Sequence, residues 1–415
     1  MKQQLTIGLD AKRIVRNGTG LGSYGRTLAN DLACLQLTDA QGETSVYDSL
    51  DLRLYAPDKG RSELRTQVPE RNNLHFVYPL SSLHSPLSTF PSPFSSLYKA
   101  YWRSHGILHQ LQADGVQVFH GLSGELPVGI RRTGIRTVVT IHDLIFMRHP
   151  EYYSWIDVQI YRRKFFQTLR EADRIVAISE CTRRDIAVLG QIPEERIDLI
   201  YQSCSPRFSA GVSPQLIAQV RRTYDLPARY VLSVGSIEER KNMLLAVKAL
   251  HWLPGDVGLV LVGRKTGYTR KITELAAKEH LTHRVRLLHG VPDEHLPALY
   301  GAAEVFVYPS RYEGFGIPII EAVSMGLPVV GCTGSCLEEA GGPHNLYVSP
   351  DDAEGMAAAV SRLLVGAEDR DERIRRSRSY ITRFENTDAA RRFARLYTEL
   401  AVQPSPETPE HLCHT

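Results

Sequence analysis

The sequence predicts an α/β protein with two doubly wound, Rossmann-like domains, each built on a parallel sheet. Three observations support this. Short β-branched runs alternate with amphipathic helical stretches almost throughout the 415 residues. Several runs are apolar almost throughout, as expected of strands covered on both faces. The pattern restarts at Tyr230, and the length suits two domains of ordinary size.

The elements follow in order along the chain. Strands of the first domain are predicted at 5–10, 51–57, 73–79, 116–121, 137–143 and 174–179. Strands of the second are predicted at 230–236, 257–263, 284–290, 304–310, 328–332 and 345–350. Residues 80–96, rich in Ser and Pro, predict a long loop.

The stretch from about 203 to 229 is rich in Ser, Pro and Gly and is interpreted as a linker. The predicted domains are therefore 1–205 and 206–385. A capped amphipathic helix at about 386–402 could pack back on the first domain. Residues 403–415 are predicted to be a disordered tail.

Composition excludes several classes of protein. The net charge of +3 gives no case for nucleic-acid binding. Six cysteines without a CxxC pair suggest neither a zinc knuckle nor a disulfide framework. The N-terminus lacks a signal-peptide pattern, and no run is long enough to span a membrane. We expect a cytoplasmic protein. An aromatic and basic cluster at 98–103 leaves peripheral contact with a membrane as an open alternative.

The stretch at 304–342 carries the chemistry. A strand is followed by a loop containing Gly314 and Gly316, and then by a helix with Pro318 near its start and Gly326 after its end. Glycines let backbone amides approach a ligand closely, and the free amides of a helix start favour anions. This arrangement predicts a diphosphate site.

Two carboxylates flank this predicted site. Glu313 lies in the loop, and Glu321 lies one turn into the helix. A carboxylate so near a phosphate would repel it, unless the carboxylate accepts hydrogen bonds from hydroxyl groups instead. The pair therefore points to a sugar on one side and a ribose on the other.

From Glu313 the sequence reads E-G-F-G-x-P-x-x-E-A-x-x-x-G-x-P-V-V and resembles family 4 of the retaining glycosyltransferases. The resemblance extends along nearly the whole chain, including 140–146, 177–186, 235–242 and 288–310. It implies the GT-B fold, with two domains facing across a cleft, and transfer of a hexose from a nucleotide-sugar donor. The acceptor would be a saccharide or a lipid-linked saccharide. Residues 235–242 look most like mannosyltransferases, which makes GDP-mannose the first expected donor and UDP-hexoses the second; polysaccharide biosynthesis is the typical setting.

The resemblance also implies roles for individual residues. Glu313 would bind donor-sugar hydroxyls and Glu321 the ribose, while Arg240 and Lys241 would neutralise the diphosphate. The other expected donor contacts are the amides of Gly314, Phe315 and Gly316, a base site at Gly290 and Val291, His142 lining the sugar pocket, and a glycine loop with Gly20 and Gly22. One position departs from the family, because Ser236 stands where many members have arginine. Arg240 or Arg264 could supply that charge.

The mechanism implied is front-face attack, in which the leaving diphosphate helps to deprotonate the acceptor hydroxyl. No general base stands out, and we expect neither a metal nor another cofactor. Asp369 and Asp371 form a DxD-like match in an arginine-rich helix, which we interpret as a solvated face.

Two alternatives remain open. The spacing Gly20-x-Gly22-x-x-Gly25 formally matches a dinucleotide fingerprint and would suit a nicotinamide-dependent oxidoreductase. However, about ten residues separate the strand end at Asp10 from Gly20, whereas a true fingerprint follows its strand at once. A nucleotide-sugar binder without activity is the second alternative, and Ser236 is the feature that supports it.

Overall fold

A computed structural model describes residues 3–35, 47–79, 93–384 and 386–403. It divides into two compact units. Unit 1 comprises Met1–Ile178, Thr182–Tyr201 and Asn386–Thr415, and unit 2 comprises Ser179–Cys181 and Gln202–Glu385. The C-terminal helix groups with unit 1. The predicted loop as far as residue 92, and the predicted tail from residue 404, lie outside the described residues.

Unit 1 contains a seven-stranded parallel sheet in the order β3-β2-β1-β4-β5-β6-β7. Its strands are β1 (Gln4–Asp10), β2 (Ser49–Tyr55), β3 (Leu74–Val77), β4 (Val118–Gly121), β5 (Arg136–Ile141), β6 (Arg174–Ala177) and β7 (Ile197–Leu199). The first six coincide with predicted strands. The seventh was missed because it is a three-residue edge strand with only Ile197 fully buried.

The helices that accompany this sheet come from residues 12–190 and from the C-terminal end of the chain. They are α1 (Lys12–Arg16), α2 (Gly20–Cys34), α3 (Ser62–Arg65), α4 (Pro93–Tyr101), α5 (Ile107–Ala113), α6 (Ile145–Arg148), α7 (Trp155–Glu171), α8 (Glu180–Gly190) and α17 (Asn386–Val402). Phe393 and Tyr397 of α17 are buried in the same apolar cluster as Leu5 and Ile7 of β1. The C-terminal helix is therefore part of the core of unit 1.

Unit 2 contains a six-stranded parallel sheet in the order β10-β9-β8-β11-β12-β13. Its strands are β8 (Arg229–Val234), β9 (Val257–Val262), β10 (Val285–Leu288), β11 (Val305–Tyr308), β12 (Val329–Cys332) and β13 (Leu346–Val348). All six coincide with predicted strands, although β8 begins one residue earlier than predicted. β9 and β11 are buried along their whole length, which explains why they are continuous apolar runs.

The helices of unit 2 alternate with its strands. They are α9 (Pro214–Thr223), α10 (Met243–Ala249), α11 (Thr269–Lys278), α12 (Leu296–Gly301), α13 (Ile317–Ser324), α14 (Leu337–Gly341), α15 (Ala353–Ser361) and α16 (Arg370–Ile381). The linker predicted at 203–229 is wrong in part, because α9 lies within it. Ser213 caps this helix by accepting from the Leu216 amide at 3.2 Å, and Pro214 occupies its first position.

Each sheet reverses its strand order once. The reversal falls between β1 and β4 in unit 1, and between β8 and β11 in unit 2. In open parallel sheets the loops that leave the carboxyl ends of the strands diverge at this point and open a crevice for ligands. Each unit therefore has one topologically favoured place for a site.

Candidate active site at the strand reversal of unit 2

A buried ion cluster occupies the reversal point of unit 2. Arg240 and Lys241 lie in a short 3₁₀ turn, Glu239–Lys241, after β8, and Glu313 lies in the loop after β11. Lys241 Nζ is 2.5 Å from Glu313 Oε1, and Arg240 Nη1 is 2.9 Å from Glu313 Oε2. Three of the residues predicted for the site thus come together, each oxygen of the carboxylate facing one cation.

The charges of this cluster stabilise one another. Burial opposes ionisation of Glu313, but Lys241 and Arg240 outweigh it and lower the pKa of this carboxyl to about 2. Burial also opposes the charge on Lys241, yet the Glu313 carboxylate leaves the lysine pKa above its ordinary value. All three groups are therefore charged at neutral pH.

Two residues that the sequence did not single out hold this cluster. Tyr308, the last residue of β11, accepts a hydrogen bond from Lys241 Nζ at 2.7 Å. Burial, aided by Glu313, raises the pKa of Tyr308 to about 12, so its hydroxyl stays protonated. Asn242 adopts the left-handed conformation (φ 53°) and donates to the carbonyls of Pro309 and Pro350 at 3.1 and 2.8 Å. It thereby ties the loop after β8 to the loops after β11 and β13.

The glycine loop leads directly into α13, as predicted. Gly314, Phe315 and Gly316 are buried, and Gly316 has a φ of 109°, a conformation that disfavours a side chain. The buried thiol of Cys336 lies 3.1 Å from the Glu313 carbonyl and 2.9 Å from the Phe315 carbonyl. Since amides in the first turn of a helix lack acceptors four residues earlier, the start of α13 is suited to an anion.

Glu321 lies in a different environment from Glu313. It is in α13 and accepts a hydrogen bond from the Tyr300 hydroxyl at 2.9 Å. Burial raises its pKa to about 7, and the Tyr300 hydrogen bond only partly opposes that rise. Near neutral pH this carboxyl is divided between its protonated and charged forms, whereas Glu313 is fully charged.

The remaining residues predicted for unit 2 lie at the same sheet edge. Gly290 and Val291 follow β10, and Gly290 is exposed with a φ of 65°. Arg264 follows β9 with an exposed side chain and has no ion pair within the described ranges. Of the two arginines considered for the charge absent at Ser236, the structure brings Arg240 to Glu313 and leaves Arg264 apart.

In unit 1, His142 lies just beyond the end of β5. Its Nε2 donates to the Leu122 carbonyl at 2.8 Å, and its ring packs edge-on against Tyr24 with centroids 4.8 Å apart. Burial lowers its pKa to about 4, so it is neutral at physiological pH. Its Nδ1 is then an acceptor and not a proton donor.

The predicted glycine loop at Gly20 and Gly22 is wrong as a loop. Gly20 is the first residue of α2, and α1 separates that helix from β1. A Cβ on Gly22 would lie 1.8 Å from the Asn17 carbonyl oxygen, so this glycine allows close backbone packing. The intervening helix also removes the dinucleotide fingerprint, which requires the glycines directly after the strand.

Two further expectations concern metals and membranes. Within the described ranges, no three His, Cys, Asp or Glu side chains are grouped so as to hold a metal ion. Asp369 instead pairs with Arg373 at 2.7 Å. No helix in that part of the chain is long and apolar enough to cross a membrane. In the cluster at 98–103, Trp102 is buried and Tyr101 is 61% exposed. Independence from metal ions and peripheral membrane contact both stay predictions.

Two family models match this chain. The model described as "Glycosyltransferase Family 4" matches residues 50–205, and that described as "Glycosyl transferases group 1" matches residues 221–380. The chain belongs to the family 4 glycosyltransferases. The resemblance to family 4 that the sequence around Glu313 indicated is thereby confirmed.

Curated relatives and solved structures agree with this membership. O-antigen chain mannosyltransferase B of Escherichia coli is 33% identical over 252 residues, which are 60% of this chain and 65% of the relative. Serotype-specific mannosyltransferase WbdA of the same organism is 28% identical over 261 residues, 60% of this chain and 32% of the relative. The chain thus covers less than two thirds of these relatives. Anabaena HepE, solved with UDP and glucose, superposes with a TM-score of 0.71 at 15% identity, covering 96% of this chain and 100% of HepE. The predicted fold class, two Rossmann-like domains of GT-B type, is confirmed.

Proposed function

We propose that this protein transfers a hexose from a nucleoside diphosphate sugar to a saccharide or lipid-linked saccharide, with retention of configuration and without a metal ion. The observation that supports this best is the buried cluster of Lys241, Arg240 and Glu313 beside the start of α13. Two cations and a helix start at a strand reversal suit a diphosphate leaving group. A carboxylate that keeps its charge suits sugar hydroxyls.

The chemistry follows from where charge develops. As the bond between the anomeric carbon and the diphosphate oxygen breaks, negative charge grows on the diphosphate. Lys241 and Arg240 are fixed in place before reaction and would stabilise that charge without reorganising. The acceptor hydroxyl would lose its proton to the leaving diphosphate, so the protein's task is to position both substrates. His142, neutral and with Nδ1 as an acceptor, suits a hydroxyl contact better than acid catalysis.

The donor is proposed from the relatives. Both curated relatives named above are mannosyltransferases, which favours GDP-mannose. HepE was solved with UDP and glucose, which keeps a UDP-hexose as the second donor. Glu321 would accept from ribose hydroxyls, and Gly290 and Val291 would contact the base. One of these relatives is named for the O-antigen chain, which favours polysaccharide assembly as the setting, and we propose that it takes place at the cytoplasmic side of a membrane.

Calorimetric titration with GDP, UDP, ADP and NAD tests the proposal first. We expect tight binding of GDP, loss of that binding in Lys241→Met, and normal binding in Lys278→Met, which removes an exposed lysine of the same unit. Incubation with GDP-mannose and a saccharide acceptor should then give an α-linked product at the same rate with and without EDTA. Binding of NAD alone would overturn the proposal, and GDP binding without any transfer would indicate a binder that has lost activity.

A further inference from the structure

A cavity of about 400 Å³ lies within unit 1 at its own strand reversal. Asp10, the last residue of β1, lines one side, and Phe119 of β4 with Glu125 from the following loop lines the other. α4 and α7 contribute Lys99 and Lys164 to its walls. Its volume falls within the range of small-molecule sites, and its position is the one at which doubly wound sheets bind ligands.

The walls of this cavity are rich in cations. The cationic side chains that line it are Lys12, Arg16, Lys99, Arg103 and Lys164. Arg103 pairs with Asp10 and Glu125, and Lys164 Nζ is 2.9 Å from Glu125 Oε1. Arg16 and Lys99 share the single carboxylate of Asp58. Five cations therefore face three carboxylates, an excess of two positive charges around one cavity.

Two polar groups of the cavity wall have no partner in the described part of the chain. Lys12 forms no ion pair there, although it lies next to the cluster formed by Arg103, Asp10 and Glu125. Burial, together with repulsion from Arg103, lowers the pKa of Lys12. The amide Nε2 of Gln167 is shielded from solvent and also makes no hydrogen bond. An ammonium group held in a cavity wall without a counter-charge is costly, and a bound anion would supply that charge to Lys12.

Arg103 is also held in an unusual backbone. It lies in a π-helical turn, Trp102–Gly106, between α4 and α5, in which Trp102 is buried. Such turns occur often at functional sites, because the extra residue redirects side chains. Here the turn presents Arg103 to the cavity, where it meets Asp10 at the end of β1 and Glu125 from the loop after β4.

We propose that this cavity of unit 1 binds a phosphate-bearing acceptor, with Lys12 as its direct contact. A phosphate dianion matches the excess of two positive charges, whereas a carboxylate would neutralise only one of them. The inference rests on the proposed function, since it names the chemical class of the acceptor. It does not depend on the residues proposed to bind the diphosphate, ribose and base, which all belong to unit 2. The phosphate could belong to a soluble sugar phosphate or to a lipid.

The test measures phosphate binding while the nucleotide site is filled. The full chain, saturated with the nucleoside diphosphate that it binds, is titrated with mannose 6-phosphate, and separately sedimented with vesicles of phosphatidylcholine with or without phosphatidic acid. Lys12→Met should weaken binding of the preferred probe about tenfold, the loss of one charge-assisted contact. Lys278→Met should leave it unchanged. Because Met matches the length of a partly buried lysine, thermal unfolding should show Lys12→Met fully folded.

The outcomes distinguish the two sources of phosphate, and they also distinguish failure of this proposal from failure of the proposed function. Binding of mannose 6-phosphate indicates a soluble acceptor, and binding only to vesicles that contain phosphatidic acid indicates a lipid-borne phosphate. Binding of neither probe, or equal binding by the wild type and Lys12→Met, overturns the cavity proposal even if nucleotide binding is intact. If the wild type binds a phosphate probe but no nucleoside diphosphate, that result would instead count against the proposed function alone.

Discussion

Replacing Glu313 with glutamine should separate its electrostatic role from its shape. The side chain keeps its size, but the Lys241 ammonium and the Arg240 guanidinium, at 2.5 and 2.9 Å, lose the charge that they share. Both cations are largely buried, and removing one partner of a buried ion pair leaves an uncompensated charge. The free protein should therefore be destabilised.

The size of the expected destabilisation follows from the pKa of the Glu313 carboxyl. Its pKa falls from 4.5 to about 2 in the folded protein, which corresponds to about 3 kcal/mol of stabilisation of the charged form at neutral pH. For a domain of this size, that loss lowers the midpoint of thermal unfolding by about 6 to 12 °C. An exposed carboxyl of the same unit supplies the control, and Glu368→Gln should leave the midpoint unchanged.

Nucleotide binding provides the sharper readout. A diphosphate would take the place of the missing carboxylate between the two cations, so nucleoside diphosphate affinity in Glu313→Gln should be equal to or higher than that of the wild type. The ligand-induced rise in the unfolding midpoint should then be at least as large in the variant, while sugar transfer falls by at least tenfold because a charged acceptor for sugar hydroxyls is lost. Calorimetry, thermal unfolding and a transfer assay on one preparation measure all three. An unchanged midpoint, or a drop in nucleotide affinity equal to the drop in turnover, would refute the reasoning.

The other predictions concern single positions. The pKa of Glu321 rises from 4.5 to about 7 on folding, so the folded state binds more protons than the unfolded state between these pH values. The contribution of this carboxyl to stability should therefore fall as pH rises from 4.5 to about 7. In urea unfolding, Glu321→Gln should lack this pH dependence, and a pH dependence identical to that of the wild type would contradict the prediction. The pKa of His142 falls from 6.5 to about 4, so the unfolded state binds more protons there and stability should rise with pH over that interval, a rise that His142→Gln should reduce. Gly316→Ala forces a side chain into a φ of 109° and places its Cβ 3.1 Å from Leu337, so it should cost about 1–3 kcal/mol in denaturant unfolding; a stability equal to the wild type would show that the loop relaxes freely.

The strands were predictable from the sequence, whereas the backbone conformation around Gly20 and Gly22 was not. The strands of both sheets, apart from β7, are visible as apolar runs, because parallel strands are covered on both faces. The stretch around Gly20 and Gly22 was expected to form a loop, since glycine is a poor helix former. It forms the first turn of α2, and a Cβ at Gly22 would lie 1.8 Å from the Asn17 carbonyl oxygen, so the close packing there requires glycine. Tertiary packing, which local sequence does not report, decided that element.

The same contrast applies to the site. Glu313, Glu321 and Lys241 belong to a long sequence pattern, and the structure brings Glu313 and Lys241 into direct contact across 72 residues of chain. Tyr308, Asn242 and Cys336 were not singled out. Tyr308 looks like an ordinary buried strand residue, while Asn242 and Cys336 act through backbone carbonyls, so no pattern of chemical groups marks them. Positioning residues of this kind become visible only once the loops are seen side by side.

Ser236 is weaker support for an inactive protein than the sequence suggested. Its hydroxyl donates to Glu238 at 3.0 Å, and Glu238 in turn accepts from Arg240 at 2.9 Å. Arg240 then reaches Glu313, so the guanidinium enters the cluster from four residues further along the chain. A second arginine at position 236 would add positive charge near Lys241, where Arg240 already opposes the rise in the lysine pKa that Glu313 causes. Because charges inside a buried cluster interact strongly over a few ångströms, one arginine is enough to accompany Lys241 and Glu313, and serine at position 236 is consistent with a working diphosphate site.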